Sequence, residues 1–188
     1  MSKRKKEILQ SAARLFKERG YSAITMRDLA QDLDIKAASL YNHITGKHEI
    51  LSLLILKIAN EFTTGMKVIK DGGDPAFAKA EQLIQLHINI ALRYTSELAV
   101  LNTDWMHLEG ASYQEYIKLR REYENDFKSI LNDGIKSGEF SDFHVDTMLF
   151  NLLSTLRSIY LWIPKKSTTE VADLQKELPK MLLNGIAV

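Results

Sequence analysis

The residues best suited to chemistry in this chain are polar groups gathered between positions 25 and 51. They offer hydroxyl, amide, imidazole, guanidinium and ammonium groups, which can hydrogen-bond to base edges and to phosphates. We predict that eight polar residues and one small residue of this stretch contact DNA. These are Thr25, Arg27, Lys36, Ala37, Ser39, Tyr41, Asn42, His43 and Lys47.

Two short helices around a tight turn would position these residues. Apolar residues recur at helical spacing over residues 26–33 and predict the first helix. Asp34 tolerates the left-handed backbone that such a turn requires. The second helix is predicted to begin near Lys36 and to pack through Ala38 and Leu40, which leaves its polar side exposed. This arrangement is typical of a helix-turn-helix, whose second helix enters the major groove.

The same stretch resembles the signature of the TetR family of regulators. The matching positions are Thr25, Arg27, Asp28, Ala30, Leu40, Tyr41, His43, Lys47 and Glu49. Four positions differ from that signature, namely Asp34, Lys36, Ala38 and Ile44. The resemblance implies a three-helix DNA-binding head and a larger helical body, with the last two helices forming a four-helix dimer bundle.

A helical hairpin without any DNA contact is the alternative interpretation of residues 25–51. The distribution of charge favours DNA, because residues 1–50 hold ten Lys or Arg against six Asp or Glu, a net charge of +4. Residues 51–188 hold fifteen against eighteen, a net charge of −3. A basic head on a mildly acidic body suits a protein whose head alone meets a polyanion. The basic run of residues 3–6 is either a solvated terminus or an arm that contacts the DNA backbone or minor groove.

Composition excludes several classes of protein. The 188 residues contain no cysteine, so disulfides and thiolate metal sites are excluded and a cytoplasmic location is expected. We identify no signal peptide and no apolar stretch long enough to cross a membrane, so no membrane partner is expected. The five histidines are too scattered for a metal site, and no cofactor is implied.

The pattern of apolar residues predicts an all-α chain of about nine helices, with a DNA-binding domain over residues 1–48 and a ligand-binding and dimerisation domain over residues 49–188. Asp74 and Pro75 are expected to start one helix of the body, and Ser112 with Glu115 is expected to cap another. Strand signals are absent from the sequence.

Two C-terminal helices are predicted to build a homodimer. One covers residues 146–163 and the other begins at a capping box formed by Ser167 and Glu170. Their apolar residues would equally suit the core of a monomer. A single helix-turn-helix buries little surface on DNA and gains affinity by pairing across a two-fold operator, which favours the dimer.

The body is expected to hold a pocket for a small effector. Its candidate residues mix aromatic walls with one cation, and they are Trp105, Tyr123, Arg157, Tyr160 and Trp162. A role as hydrogen-bonded core residues is the alternative for each of them. Residues 83–87, 120–123 and 134–140, with Tyr160 and Trp162, also resemble the body of TetR-like repressors of fatty-acid catabolism, some of which respond to acyl-CoA thioesters. This chain has Leu161 where such proteins often carry a basic residue beside the tryptophan.

The sequence bears differently on three classes of function. An enzyme is disfavoured, because the sequence has no nucleophile elbow, no phosphate-binding glycine loop and no paired-histidine zinc motif. Two classes remain. The first is a ligand-responsive regulator, expected to be a repressor that binds a palindromic operator as a homodimer and is released by a small hydrophobic effector such as an acyl-CoA. The second is a dimeric DNA-binding protein without an effector.

Overall fold

The computed structural model describes residues 2–187, with the backbone alone described at Pro164. This part of the chain is all-α, as predicted, and contains no β-strand, only an isolated bridge between Phe140 and Ala187. The helices are α1 (Lys3–Arg19), α2 (Met26–Asp32), α3 (Ala37–Tyr41), α4 (Lys47–Asp71), α5 (Ala76–Arg93), α6 (Thr95–Asp104), α7 (Gly110–Ser137), α8 (Val145–Leu156), α9 (Ile159–Trp162) and α10 (Thr168–Asn184). Short 3₁₀ turns follow α6 and α9, over Trp105–His107 and Ile163–Lys165.

The helix predicted over residues 146–163 is divided into α8 and α9. Arg157 and Ser158 form a turn between the two helices. The Ser158 hydroxyl donates to the carbonyl oxygen of Thr155 at 2.8 Å, a local bond by which serine competes with the helical pattern. This break accounts for one helix more than the predicted nine.

The chain forms two folded units. The first comprises the chain up to Ala59 together with Ser96–Ile117, and the second comprises Asn60–Thr95 and the chain from Lys118 onwards. Helices α4 and α7 each contribute residues to both units. No helix within residues 2–187 has the length and hydropathy needed to span a bilayer.

Local sequence explains the ends of α1. The Ser2 hydroxyl accepts a hydrogen bond from the backbone N–H of Lys5 at 3.2 Å and caps the first turn. Gly20 ends the helix with φ of 84°, a conformation open to glycine, and its N–H donates to the carbonyl oxygen of Phe16 at 2.8 Å. The buried side of α1 is the apolar side that its spacing predicts, including Ile8 and Leu15.

The helix-turn-helix is held by a capping box and a left-handed turn. Thr25 and Asp28 form the box, since the Thr25 hydroxyl accepts from the Asp28 N–H at 3.2 Å and the Asp28 carboxylate accepts from the Thr25 N–H at 2.7 Å. Asp34 has φ of 51° and is the one non-glycine residue with positive φ in the described chain. Leu40 is fully buried and packs α3 against the rest of the first unit.

Helix α5 begins differently from the sequence prediction. Its N-cap is Pro75 and not Asp74, and Pro75 offers no side-chain cap. The carboxylate of Glu139 takes that role, accepting from the N–H groups of Ala76 at 3.3 Å and Phe77 at 2.9 Å. A residue more than sixty positions away closes the helix end, so no local pattern could reveal it.

Helix α7 also begins elsewhere than expected. It starts at Gly110, so Ser112 lies inside its first turn and is not the N-cap. By contrast, the capping box of α10 is confirmed, since the Ser167 hydroxyl accepts from the Glu170 N–H at 3.3 Å and the Glu170 carboxylate accepts from the Ser167 N–H at 2.9 Å. Capping boxes formed by neighbours in sequence were therefore predictable only where the helix start was clear.

Candidate nucleic-acid interface and effector region

The polar side chains predicted to contact DNA lie on the first unit, around α3. Six of the nine are exposed and three are partly buried. The exposed residues are Thr25, Arg27, Lys36, Tyr41, Asn42 and His43, and the partly buried ones are Ala37, Ser39 and Lys47. An exposed aromatic ring carries a cost in water, and Tyr41 is 55% exposed and is followed by the polar residues Asn42 and His43. Such a surface is suited to contacts with bases and phosphates.

Helix α3 is shorter than the polar stretch it supports. It ends at Tyr41, so Asn42 is its C-cap and His43 lies in the following turn. The N–H of His43 donates to the carbonyl oxygen of Leu40 at 2.9 Å and keeps this turn close to the helix. The candidate surface therefore consists of one helix of five residues and the turn after it.

The burial of the two alanines of α3 is the reverse of the prediction. Ala38, expected to pack beside Leu40, is exposed, whereas Ala37 is partly buried. Residues three apart on a helix share a face and residues two apart do not, so Ala37 lies beneath Leu40 and Ala38 points away. The packing prediction for Ala38 was wrong for this reason.

Lys47 holds the loop between α1 and α2. Its Nζ donates to the carbonyl oxygens of Tyr21 at 2.9 Å, Ile24 at 2.9 Å and Ser22 at 3.5 Å. It also lies 4.2 Å from the centroid of the Tyr21 ring. These contacts employ all three N–H donors of the ammonium group in the DNA-free protein. Sequence reasoning missed this role, because carbonyl acceptors leave no mark in the sequence.

Ion pairs stiffen the base of the helix-turn-helix. Asp32, at the end of α2, accepts from the Ser11 hydroxyl at 2.6 Å and pairs with Arg14 of α1. The hydrogen bonds from Ser11 and Arg14 lower the pKa of Asp32. Lys5 pairs with Glu49 at 2.8 Å, so part of the basic N-terminal run is engaged within the protein.

The second unit contains a buried polar pair. The Nε2 of His87 and the hydroxyl of Tyr123 are 2.8 Å apart, and both side chains are buried. Burial, with a smaller contribution from the Arg157 charge, lowers the pKa of His87 to about 3. Burial likewise raises the pKa of Tyr123 above its usual range. The pair is therefore neutral, with one hydrogen shared between the two groups.

An aromatic wall and an ion-pair network adjoin this pair. The Phe62 ring centroid is 4.6 Å from that of His87 and 5.7 Å from that of Tyr123. Arg157 donates to an oxygen of Glu124 at 2.7 Å. The sequence analysis did not identify Phe62 or Glu124 as part of this region. Glu124 also pairs with Arg120 at 3.1 Å, and the four-residue spacing of these two residues is the feature from which that pair could have been predicted.

Opposing effects act on the carboxyl group of Glu124. Burial raises the pKa of Glu124, but the hydrogen bonds from Arg157 and Arg120 outweigh burial, and the net shift is downward. The carboxylate is therefore ionised near neutral pH. Glu124 is therefore an anion of the protein itself that already pairs with Arg157, the residue expected to meet an anionic ligand.

The five predicted effector residues are not all brought together. Tyr123 and Arg157 belong to the neighbourhood just described, and Tyr160 is buried in the same unit. Trp162 is 38% exposed, with Lys166 Nζ 4.8 Å from its ring centroid. Trp105 belongs to the first unit, where it lies 6.5 Å from the Tyr113 ring and 5.7 Å from the Tyr116 ring between centroids.

Comparison with known proteins gives two family matches. Residues 8–54 match the sequence profile described as bacterial regulatory proteins, tetR family, and residues 73–186 match that described as tetracyclin repressor-like, C-terminal domain. The second match alone spans more than half of the chain. The chain belongs to the TetR family. As a TetR-family member it is a DNA-binding transcriptional regulator and not an enzyme.

Individual TetR-family proteins align along most of their length. The transcriptional repressor KstR2 of Rhodococcus jostii is 27% identical over 188 residues, which cover 99% of this chain and 92% of the relative. The structure of KstR2 from Mycobacterium tuberculosis, described as a ketosteroid transcriptional regulator, has a TM-score of 0.93 at 22% identity and covers 100% of this chain and 97% of its own. AibR, solved with isovaleryl coenzyme A and operator DNA, has a TM-score of 0.82 at 20% identity, covering 95% and 97%. These two structures confirm the fold.

No group of three or more His, Cys, Asp or Glu residues able to hold a metal ion occurs in the part of the chain that the structure describes.

Proposed function

We propose that this TetR-family chain represses transcription by binding a near-palindromic operator as a homodimer and that a small effector in the second unit releases it. The exposed polar surface formed by α3 and its following turn carries this proposal. On this surface, small, amide and imidazole groups lie together on a short helix and the turn after it, and the buried Leu40 anchors the helix. The half-sites of the operator would lie about one helical turn, roughly 34 to 36 Å, apart or somewhat more. In this proposal, residues 1–48 form the DNA-binding domain and residues 49–188 form the ligand-binding and dimerisation domain. The expected location of the protein is the cytoplasm.

Exposed apolar residues support a homodimer built from α8 and α10. Phe150 on α8 is 74% exposed and Met181 on α10 is 72% exposed. Leu161 on α9 is 58% exposed. Large apolar side chains that face water in a single protomer are typical of residues that a partner covers. A second copy of this chain is the occupant that a two-fold operator requires.

The helix predicted over residues 146–163 was favoured as part of the dimer interface, and most of its apolar residues lie instead in the core of one protomer. Leu156 is 1% exposed within a single protomer, and Met148, Leu149, Leu152 and Leu153 are also buried there. They form the core of the second unit because they occupy the side of α8 opposite Phe150. The sequence pattern identified the apolar helix but assigned its buried side to the wrong partner.

A substitution on the exposed side tests the dimer. Phe150→Asp should give a folded monomer that loses operator affinity, because a carboxylate is costly when a partner buries it and cheap when water surrounds it. Val68→Asp is the matched control, since Val68 is 71% exposed on α4 and lies outside α8–α10. Light scattering that shows an intact dimer for Phe150→Asp would remove this part of the proposal.

The effector is proposed to combine an apolar body with an anionic end. Phe62 and Tyr123 offer aromatic surface, and Arg157 offers a cation that an incoming anion can take from Glu124. Acyl-CoA thioesters have this chemistry, and the fold relative AibR was solved with isovaleryl coenzyme A. The description of KstR2 as a ketosteroid regulator adds steroid-derived compounds to the probes. An effector can shift operator binding only through different affinities for the free and DNA-bound states.

A DNA-binding protein without an effector is the second candidate. The pairing of His87 with Tyr123 favours it, since polar groups already satisfied within a core need no ligand.

Titration of the operator complex separates the two candidates. A DNA duplex is selected from a random library on the wild-type protein, and the complex is titrated with acyl-CoA thioesters of increasing chain length and with a ketosteroid. Release by a probe at micromolar concentration supports the sensor, and indifference to every probe supports the second candidate. Phe62→Ala should leave duplex affinity within about twofold while changing release, because Phe62 belongs to the second unit and offers aromatic surface to the proposed effector, whereas α3 belongs to the first unit.

A further inference from the structure

Glu49 joins three segments of the first unit. It is the third residue of α4, and its side chain is 27% exposed. One carboxylate oxygen accepts from the backbone N–H of Thr45 at 2.6 Å and from the Thr45 hydroxyl at 2.8 Å. The other oxygen accepts from the Nζ of Lys5, in the first turn of α1, at 2.8 Å. The carboxylate therefore bridges α1, α4 and the turn that follows α3.

This bridge is more ordered than an ion pair on an open surface. Pairs that water surrounds contribute little to structure, but the side chains of Lys5 and Glu49 are only 26% and 27% exposed. Hydrogen bonds from Lys5 and Thr45 outweigh burial and lower the pKa of Glu49, so the carboxylate is ionised near neutral pH. Three hydrogen bonds to an ionised group favour one orientation of that group. The bridge is thus able to fix the segments that it joins.

The turn held by this carboxylate carries part of the recognition surface. Residues 42–46 connect α3 to α4, and they include Asn42 and His43. At the start of the turn, the N–H of His43 donates to the carbonyl oxygen of Leu40 at 2.9 Å. At its end, the backbone and the hydroxyl of Thr45 are bonded to the carboxylate. The two polar side chains that are expected to meet DNA therefore lie on a turn that is held at both ends.

Attraction to DNA does not explain a carboxylate at this place. The phosphates of DNA repel an anion, so an unpaired Glu49 beside the recognition surface would weaken binding to every sequence. Lys5 neutralises that charge, and in doing so it engages one cation of the basic N-terminal run within the protein. The arrangement adds nothing to the attraction of the head for phosphates. Its effect must lie in the placement of the turn.

We propose that Glu49 is a positioning residue for operator recognition: by bridging Lys5 and Thr45, it fixes the 42–46 turn so that Asn42 and His43 meet the base edges. The inference rests on the proposed operator binding and is independent of any effector. Fixing these groups before binding lowers the cost of ordering them in the specific complex. A complex held by phosphate contacts alone does not need that order, so the bridge should act on the preference for one sequence.

Affinities for the selected duplex and for a random duplex of equal length test the proposal. Glu49→Ala and Lys5→Met should each lower the ratio of the two affinities about tenfold, because a hydrogen bond to a charged group is lost. Glu49→Ala should bind the random duplex within about twofold of wild type, since it removes no phosphate contact. Lys5→Arg keeps a cation for the carboxylate and should retain the wild-type ratio. Glu7→Ala is the matched control, because it breaks an ion pair of the same 2.8 Å length within α1 that does not reach the turn.

A double variant separates one bridge from two independent contacts. Lys5→Met combined with Glu49→Ala should have the affinity ratio of either single variant, because each change alone already separates the turn from α1. Circular dichroism establishes that each variant is folded. A wild-type ratio in either folded single variant overturns the inference, as does a double variant whose loss equals the product of the single losses. Should Glu49→Ala fail to fold, Lys5→Met decides alone, since it leaves the hydrogen bonds to Thr45 in place.

The same measurements distinguish this inference from the proposed function. Failure of wild type to select any duplex would remove the proposed operator binding and this inference with it. Selection by wild type, with an equal ratio in folded Lys5→Met, would remove this inference alone.

Discussion

The α3 surface and the polar groups of the second unit use their functional groups in opposite ways. Tyr41, Asn42 and His43 are exposed, so their groups are available to a partner without rearrangement. His87 and Tyr123 are buried and bonded to each other. DNA recognition can begin on a surface that already exists, whereas an effector must displace contacts that the protein makes with itself.

This difference has an energetic meaning. A ligand that breaks a buried hydrogen bond must replace it, or it forfeits about 1 to 3 kcal/mol for each group left unpaired. The buried His87–Tyr123 pair would therefore select among effectors, since a purely apolar compound cannot satisfy His87. On the α3 surface, selectivity must come instead from the match to base edges.

The largest expected effect contrasts the two sides of α8. Leu156→Asp should abolish cooperative unfolding or cost about 3 to 5 kcal/mol of stability, because it places an unpaired charge in the core. Thermal or urea unfolding of this variant beside Phe150→Asp measures the contrast. A stable Leu156→Asp monomer would contradict the assignment of that side to the protomer core.

A pH-dependent effect should distinguish the buried pair from the exposed surface. The pKa of His87 is about 3 in the folded protein, against 6.5 as the ordinary value, so the unfolded chain binds the proton first as the pH falls. Stability contributed by the neutral histidine is therefore present above pH 6.5 and declines towards pH 3. Between pH 7 and pH 5 the loss should be about 2 kcal/mol. Urea unfolding at both pH values measures it.

The variant His87→Phe is the control for that pH effect. Its free energy of unfolding should change by about 2 kcal/mol less than that of wild type between pH 7 and pH 5. Equal pH dependence in wild type and His87→Phe would contradict the lowered pKa of His87 in the folded protein.

Removing the Tyr123 hydroxyl should have an effect of about 1 to 3 kcal/mol on stability. Tyr123→Phe leaves the Nε2 of His87 without its partner in a buried site. Tyr113→Phe, on a partly buried ring, is the matched control and should change stability by less than about 0.5 kcal/mol. Differential scanning calorimetry compares the two. Equal effects would place His87 near water.

The smallest predicted effect separates two lysines of the first unit. Lys36→Ala should lower the salt slope of DNA binding by about one unit and leave the fold unchanged, because an exposed lysine gives up one phosphate contact. Lys47→Ala should also lower the melting temperature, since it frees the carbonyls of the loop before α2. Salt titrations and thermal unfolding of both variants test this, and indistinguishable melting temperatures would contradict the structural role of Lys47.

Sequence was sufficient where the cause of a structure is local. The Thr25–Asp28 capping box, the left-handed Asp34 and the end of α1 at Gly20 each depend on neighbours within a few residues. Periodicity gave the all-α fold for the same reason. The family signature added the order of the helices and the DNA-binding role.

The rest depended on contacts between distant residues. Glu139 caps α5, Lys47 binds three carbonyl oxygens and Glu124 occupies Arg157, and none of these pairings follows a fixed spacing. The side of α8 that faces the protomer core was also hidden, because an apolar stripe does not say which partner buries it. The effector region was therefore the least predictable part of the molecule.

The most direct test of the account compares the selected duplex with a random duplex for wild type and for the triple variant Tyr41→Ala, Asn42→Ala, His43→Ala. The account predicts that wild type prefers the selected duplex by at least about a thousandfold at physiological salt, within the range of specific regulators. The triple variant should bind both duplexes equally, while its circular dichroism and dimer mass stay those of wild type. A folded, dimeric triple variant that still prefers the selected duplex would contradict the claim that α3 and its following turn read the operator.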